Sequence, residues 1–244
     1  MLFLPCLIIL YRGGCLDPVE ASTFQNLRKF TFRLDDLDET ELQGIRNVID
    51  RNGGLKHLTL GGPYTDDEES WDSVFESATI DNLIHLGLFI PNISGFVLDR
   101  VARANNLQSL TVHGSFGEPE FASQVFATTR LPDLESFAFI MEDGDEDLYA
   151  SVTWHFLRKR EKLQRLDLGS CPWDVAQDLL PTLINLRVLG VCVDELEQIE
   201  TLVESIPTQM VAIRLSVEIS DSDSHLVYVF PYSHAVKETH VIAH

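Results

Sequence analysis

The residues of this chain with the most chemistry to offer are three histidines, His57, His85 and His113, set among Lys29, Arg33 and Phe89. Imidazole is the side chain whose ordinary pKa lies in the physiological range, so such a cluster suits a pH-sensitive or anion-preferring contact. Metal binding is the sharper alternative. Only His57 and His85 are expected to converge, and no carboxylate or thiol joins them in the ligand number that zinc demands. Exposed histidines without a special role are the plainest reading of the same residues. Asp143, Asp145 and Asp147 have the opening spacing of a calcium loop, but Leu148 stands where that loop needs glycine and Trp154 where it needs glutamate. The chain has no GxxxxGK[ST] phosphate loop, no HExxH and no GxSxG elbow. Gly53-Gly54 and Gly61-Gly62 are isolated pairs that end a helix and turn after a strand. No catalytic residue, cofactor site or metal site is expected.

The elements that position these side chains follow from a recurring pattern: an apolar residue, two of any type, an apolar residue, one of any type, an apolar residue. It occurs at Leu27-Phe30-Phe32, Leu55-Leu58-Leu60, Leu83-Leu86-Leu88, Leu107-Leu110-Val112, Leu134-Phe137-Phe139, Leu163-Leu166-Leu168 and Leu186-Leu189-Val191, with a degenerate copy at Met210-Ile213-Leu215. Successive first positions are 28, 28, 24, 27, 29, 23 and 24 residues apart, within the period of about 20–29 residues of leucine-rich repeats. Between the motifs, residues 41–51 place Leu42, Ile45, Val48 and Ile49 on one helical face. Helices are likewise expected over 96–104, 120–127, 148–159, 175–183 and 196–205. Each repeat is thus a short strand followed by a helix. One repeat cannot bury its apolar side alone, so the stack is the folding unit.

This strand–helix repeat resembles the ribonuclease-inhibitor-like class of leucine-rich-repeat proteins. The irregular repeat lengths and Cys171 in LQRLDLGSC resemble most the repeat arrays of F-box proteins, especially fungal ones. The consensus Asn or Cys is replaced in most repeats, by Asp35, Pro63, Pro91, Ser115, Glu142 and Asp194. The fold class implied is α/β: a leucine-rich-repeat solenoid of about eight to nine repeats, with a curved parallel sheet on its concave face and helices on its convex face. The function implied is non-enzymatic protein–protein interaction, as the substrate-recognition part of a ubiquitin ligase component. No F-box precedes the first clear motif at Leu27, so a ligase adaptor is a partner only if an F-box lies upstream. A secreted or immune-type repeat receptor is the alternative.

In such strands the three motif residues point inward, and the residues two, four and six places after the first point to the concave face. The first column then runs Lys29, His57, His85, Ser109, Ser136, Arg165, Val188, Ala212. The middle column runs Thr31, Thr59, Gly87, Thr111, Ala138, Asp167, Gly190, Arg214, and the third Arg33, Gly61, Phe89, His113, Ile140, Gly169, Cys192, Ser216. A partner is expected at Lys29, Arg33, His57, His85, Phe89, His113 and Arg165. The acids fall elsewhere: Asp35, Asp36, Asp38 and Glu39; Asp66, Asp67, Glu68 and Glu69; Glu142, Asp143, Asp145, Glu146 and Asp147; Asp194, Glu195 and Glu197. Each group follows a strand and would collect along one rim, where a basic protein could be held. Helix amino-termini favour carboxylates in any case, so a set of solvated helix starts is the plainer reading of the rim.

Composition agrees with a binding module. The chain has 244 residues, 45% hydrophobic and 23% charged, with 18 Lys+Arg against 38 Asp+Glu and a net charge of −20. That charge repels nucleic acid and anionic lipid. Cys6, Cys15, Cys171 and Cys192 show no CxxC pairing, which suits a reducing compartment, cytoplasmic or nuclear. Asn92-Ile93-Ser94 is a glycosylation sequon of consequence only after export. The opening MLFLPCLIIL carries no Lys or Arg before its apolar run, unlike an export signal. It is about half the length of a spanning helix. Leu4, Leu7 and Ile9 instead fit the repeat, 23 residues before Leu27, Phe30 and Phe32. Residues 1–26 are therefore expected to form a degenerate first repeat of an array spanning 1–219, one whose upstream part is lost or supplied by a partner. Residues 220–244 are expected to close the sheet edge: a hairpin of 211–219 and 225–230, then a loose tail over 232–244.

Overall fold

A computed structural model describes residues 6–11, 24–34, 39–62, 71–114, 131–141, 156–169, 177–193, 209–218, 225–231 and 240–243, with single positions 198, 201, 202 and 206. The chain divides into two compact units, Met1–Asp133 and Leu134–His244.

The strands of the first unit are Cys6–Tyr11 (β1), Lys29–Leu34 (β2), His57–Gly61 (β3), His85–Phe89 (β4) and Ser109–Gly114 (β5), each paired parallel with the next. Alternation of apolar and polar residues gives β2–β5 one buried side, and the uniformly apolar CLIILY forms β1 beside them. The register follows the motif: Leu7 lies opposite Phe30, Phe30 opposite Leu58, Leu58 opposite Leu86 and Leu86 opposite Leu110. From Cys6 on, the opening apolar stretch is thus a strand in register with the others. Among the described residues, no helix is long and apolar enough to cross a membrane.

Helices connect these strands. Glu39–Arg51 (α1) and Gly95–Arg103 (α3) match the expected segments to within two residues. Asp72–Phe75 (α2) and the 3-10 turn Ala78–Asn82 were not expected, because one turn is too short to show a helical period. Phe30, Phe32, Leu58, Leu60, Leu86, Leu88, Leu110 and Val112 from the strands are buried, as are Ile45, Val48, Ile49, Val74, Phe75, Val97 and Val101 from the helices. Full burial of each such side chain stabilises by about 1.5–3 kcal/mol. Ser94 caps α3 by accepting the Val97 N–H at 3.2 Å, and its hydroxyl donates to Asp72 Oδ1 at 2.5 Å, tying α3 to α2. The buried Asn52 stitches the end of α1 to the preceding turn. Its Oδ1 accepts the Leu27 N–H at 2.8 Å, and its Nδ2 donates to the carbonyls of Val48 at 2.7 Å and Phe24 at 3.1 Å.

The second unit contains Ser136–Met141 (β6), Arg165–Asp167 (β7), Val188–Val193 (β8) and Ala212–Glu218 (β9), paired parallel in that order. His225–Pro231 (β10) adds antiparallel to β9. His240–Ala243 (β11) adds antiparallel to β10, so the expectation of a loose tail fails there; the β-branched pair in HVIA lies opposite Val227 and Tyr228. Of the helices expected in this unit, the described parts are shorter. Residues 177–179 are helical, and Leu180–Thr182 is a 3-10 turn with Pro181 in its first positions, where an α-helical continuation would clash. Leu157–Lys159 is also a 3-10 turn. The expected helix over 120–127 lies outside the described residues, as does most of each of those over 148–159 and 196–205.

One hydrogen-bond step recurs at the entry to the strands. A single carbonyl accepts two consecutive N–H groups of the next strand entry. Arg28 O takes Lys56 and His57, both at 3.0 Å; Lys56 O takes Ile84 and His85 at 2.9 and 3.0 Å; Ile84 O takes Gln108 and Ser109 at 2.8 and 3.0 Å. In the second unit Glu135 O takes Gln164 and Arg165, Gln164 O takes Arg187 and Val188, and Arg187 O takes Val211 and Ala212. The step pins β3, β4, β5, β7, β8 and β9 each against the preceding strand at the same motif position.

Candidate functional site

The site is the open face of the first unit's sheet, opposite the buried motif residues. Pairing places Lys29, His57, His85 and Ser109 in one file across β2–β5, Thr31, Thr59, Gly87 and Thr111 in the next, and Arg33, Gly61, Phe89 and His113 in the third. No Asp or Glu occupies any of these positions. Along a strand at about 3.3 Å per residue, the first and third files lie roughly 13 Å apart.

In the first file the imidazoles of His57 and His85 stack, with ring centroids 4.2 Å apart and planes 9° from parallel. Direct register on parallel strands brings the two side chains within reach, and their rotation sets the stack. Burial, then the charges of His85 and Lys29, push the His57 pKa below its ordinary value. A metal must lie near the plane of each ligating ring, and two nearly parallel, stacked planes share no such point. Among the described residues, no group of three or more His, Cys, Asp or Glu could hold a metal ion.

In the third file Arg33 reaches across β3 to β4. Its guanidinium carbon lies 4.8 Å from the centre of the Phe89 ring. Gly61 stands between them, and a Cβ there would come within 2.9 Å of Arg33 Cγ. Glycine is therefore what lets the arginine cross. Phe89 in turn meets His113 edge to face, with centroids 5.8 Å apart and planes at 77°. Arg33 and Lys29 are exposed, and His57, His85, Phe89 and His113 half-buried. The exposed thiol of Cys6 lies on β1 opposite Lys29.

The second unit repeats the crossing with opposite charges. Asp167 on β7 and Arg214 on β9 form an ion pair over Gly190 of β8, where a Cβ would sit 2.6 Å from Asp167 Oδ1. Arg165, grouped with the site on sequence grounds, is exposed on β7 of this unit. A shallow groove of about 410 Å³ is lined by Glu135, Glu161, Lys162, Gln164, Asn185 and Arg187, a mixture of charges without a dominant sign.

Six expected positions, Lys29, Arg33, His57, His85, Phe89 and His113, are thus brought together. The expected rim acids Asp35, Asp36, Asp66, Asp67, Glu68, Asp143, Asp145, Asp194 and Glu195 lie outside the described residues. The roles of Gly61 and Gly190 and the Asp167–Arg214 pair were missed in the sequence. The signal for them is a glycine flanked on both sides, one repeat away, by residues long enough to meet across it.

No family model and no curated protein matches the chain. Among solved structures it is similar to a Bacteroides fragilis protein determined as a structural-genomics target, at 15% identity and a TM-score of 0.42. The match covers 81% of this chain and 66% of that one, so the chain spans just under two thirds of the neighbour's length.

Proposed function

We propose that each unit is a stretch of leucine-rich-repeat solenoid and that the chain is a non-enzymatic protein-recognition module, with the open face of the first unit as its contact surface. The recurring two-donor step at the strand entries and the motif-matched register support the repeat reading. The observation that carries the function is the pair of files formed by Lys29, His57 and His85 and by Arg33, Phe89 and His113, held on consecutive strands and free of carboxylates. Arginine and aromatic residues on a rigid support are the side chains that dominate interface energetics. The finer reading, substrate recognition within an F-box-type ubiquitin ligase, rests on the resemblance of the repeats and requires an F-box upstream.

Affinity capture from cells followed by mass spectrometry tests the reading. The wild-type chain is compared with a variant carrying Lys29→Ala, His57→Ala, His85→Ala and Phe89→Ala together. Loss of specific partners in the variant is expected. An unchanged set of partners excludes this face. Recovery of a cullin-complex adaptor with a chain carrying its upstream sequence would bear on the ligase reading; its absence there removes that reading alone.

A further inference from the structure

We propose that the two basic, carboxylate-free files of the first unit hold an acidic segment of the protein partner, laid across strands β2–β5 and read through its carboxylates. The inference rests on the open face being the contact surface and adds the chemistry of what it contacts.

Charge is the first argument. The chain carries 38 acidic against 18 basic residues, yet the open-face positions of β2–β5 hold Lys29, Arg33, His57, His85 and His113 and no acid. A stripe of the minority sign complements an acidic ligand. The second argument is distribution. Lys29, His57 and His85 stand in a line one strand apart, and Arg33 lies about 13 Å away along the strand direction. A phosphate is best held by donors converging on one point. Donors strung along two files suit carboxylates spread along a chain. The floor between the files, Thr31, Thr59, Gly87 and Thr111, is low, and its hydroxyls can both donate to and accept from a backbone lying over them.

The third argument is preorganisation. Arg33 is already steered across Gly61 onto Phe89, so less side-chain freedom is lost when it meets a carboxylate. Its guanidinium N–H edge remains suited to a two-oxygen acceptor. Length is limited as well. Screening confines electrostatic interaction to roughly 8 Å at physiological salt. A segment about as long as the stripe therefore collects most of the attraction on offer, and a longer polyanion gains little more while meeting the repulsion of a chain of net charge −20.

The stripe also makes the contact pH-dependent. The groups facing His57 are Lys29 from β2 and His85 from β4, with Thr59 on its own strand. None of them is anionic. A bound carboxylate favours the imidazolium form of the stacked pair, so binding and protonation reinforce each other.

The test is fluorescence anisotropy on the full chain with a short labelled Glu/Gly peptide. Gln/Gly, Lys/Gly and phosphoserine/Gly peptides of equal length and a DNA duplex serve as comparators. The Glu/Gly peptide is expected to bind best and to tighten on the order of tenfold from about pH 7.5 to 5.5. Lys29→Ala and Arg33→Ala, both at exposed positions, are each expected to weaken it about tenfold. His57→Gln with His85→Gln is expected to abolish the pH dependence. Glu/Gly binding no tighter than Gln/Gly, or indifference to both Lys29→Ala and Arg33→Ala, overturns the proposal. So does preference for the phosphopeptide or for DNA. If the peptide fails while the quadruple variant still loses its cellular partners, the acidic ligand is wrong and the contact surface stands. If the variant keeps those partners, the surface itself is wrong.

Discussion

His57 illustrates how a neighbour sets a residue's chemistry. Parallel pairing puts its ring on that of His85, and burial together with the charges of His85 and Lys29 disfavours its imidazolium in the folded chain. The unfolded chain has no such bias, so it takes up the proton more readily. His57 therefore favours folding most fully above about pH 6.5, and the contribution declines as pH falls through the lowered folded value. Urea unfolding of wild type and His57→Gln should show the difference between them shifting against wild type as pH falls below about 6.5; a difference that stays constant on acidification would contradict this. Asn52 offers a stability test at the same scale. Asn52→Ala leaves the buried Leu27 N–H without its acceptor and two carbonyls without a donor, which should cost about 3 kcal/mol in the same measurement. The site's composition was legible in the sequence, since columns counted from the motif leucines bring Lys29, His57 and His85 into one file. The stacking of the imidazoles and the bonding of Asn52 were not. Both depend on side-chain rotation, which spacing leaves open.

The glycines within or at the ends of strands divide into two kinds according to what stands in their way. At Gly61 and Gly190 the obstacle is a side chain, Arg33 Cγ at 2.9 Å and Asp167 Oδ1 at 2.6 Å. At Gly114, which has φ +154°, it is the Ile90 carbonyl oxygen, 2.1 Å from where a Cβ would be. Side chains can swing aside and backbone cannot. Gly61→Ala should therefore cost under about 1 kcal/mol of stability, while displacing Arg33 from Phe89 and weakening partner binding. Gly114→Ala should cost about 2 kcal/mol or more. Thermal melts of the two variants give the ordering directly, and equal losses would refute it. Among helices, α1 and α3 were legible because each shows more than two turns of apolar period. The single turn of α2 shows none. Pro181 cuts short the helical pattern expected over 175–183, and the strand β11 was hidden because its pairing with β10 is a tertiary choice that four residues do not announce.

Over the whole chain, a net charge of −20 repels itself in any compact state. Added sodium chloride should raise the melting temperature by several degrees up to about 0.5 M, as screening relieves that repulsion. A flat or falling response would mean that attractive pairs such as Arg46–Glu76 and Arg100–Asp81 outweigh it. Salt should weaken binding of an acidic partner at the same time, so stability and affinity should move in opposite directions. The recurring carbonyl step has a longer reach. Because one oxygen fixes where β3–β5 and β7–β9 each begin, the spacing of 23 to 29 residues between those motifs is free to vary without shifting any letter on the open face. Connections can be lengthened, shortened or exchanged while the message stays in frame. Such a chain can have its edges rewritten and still display the same text.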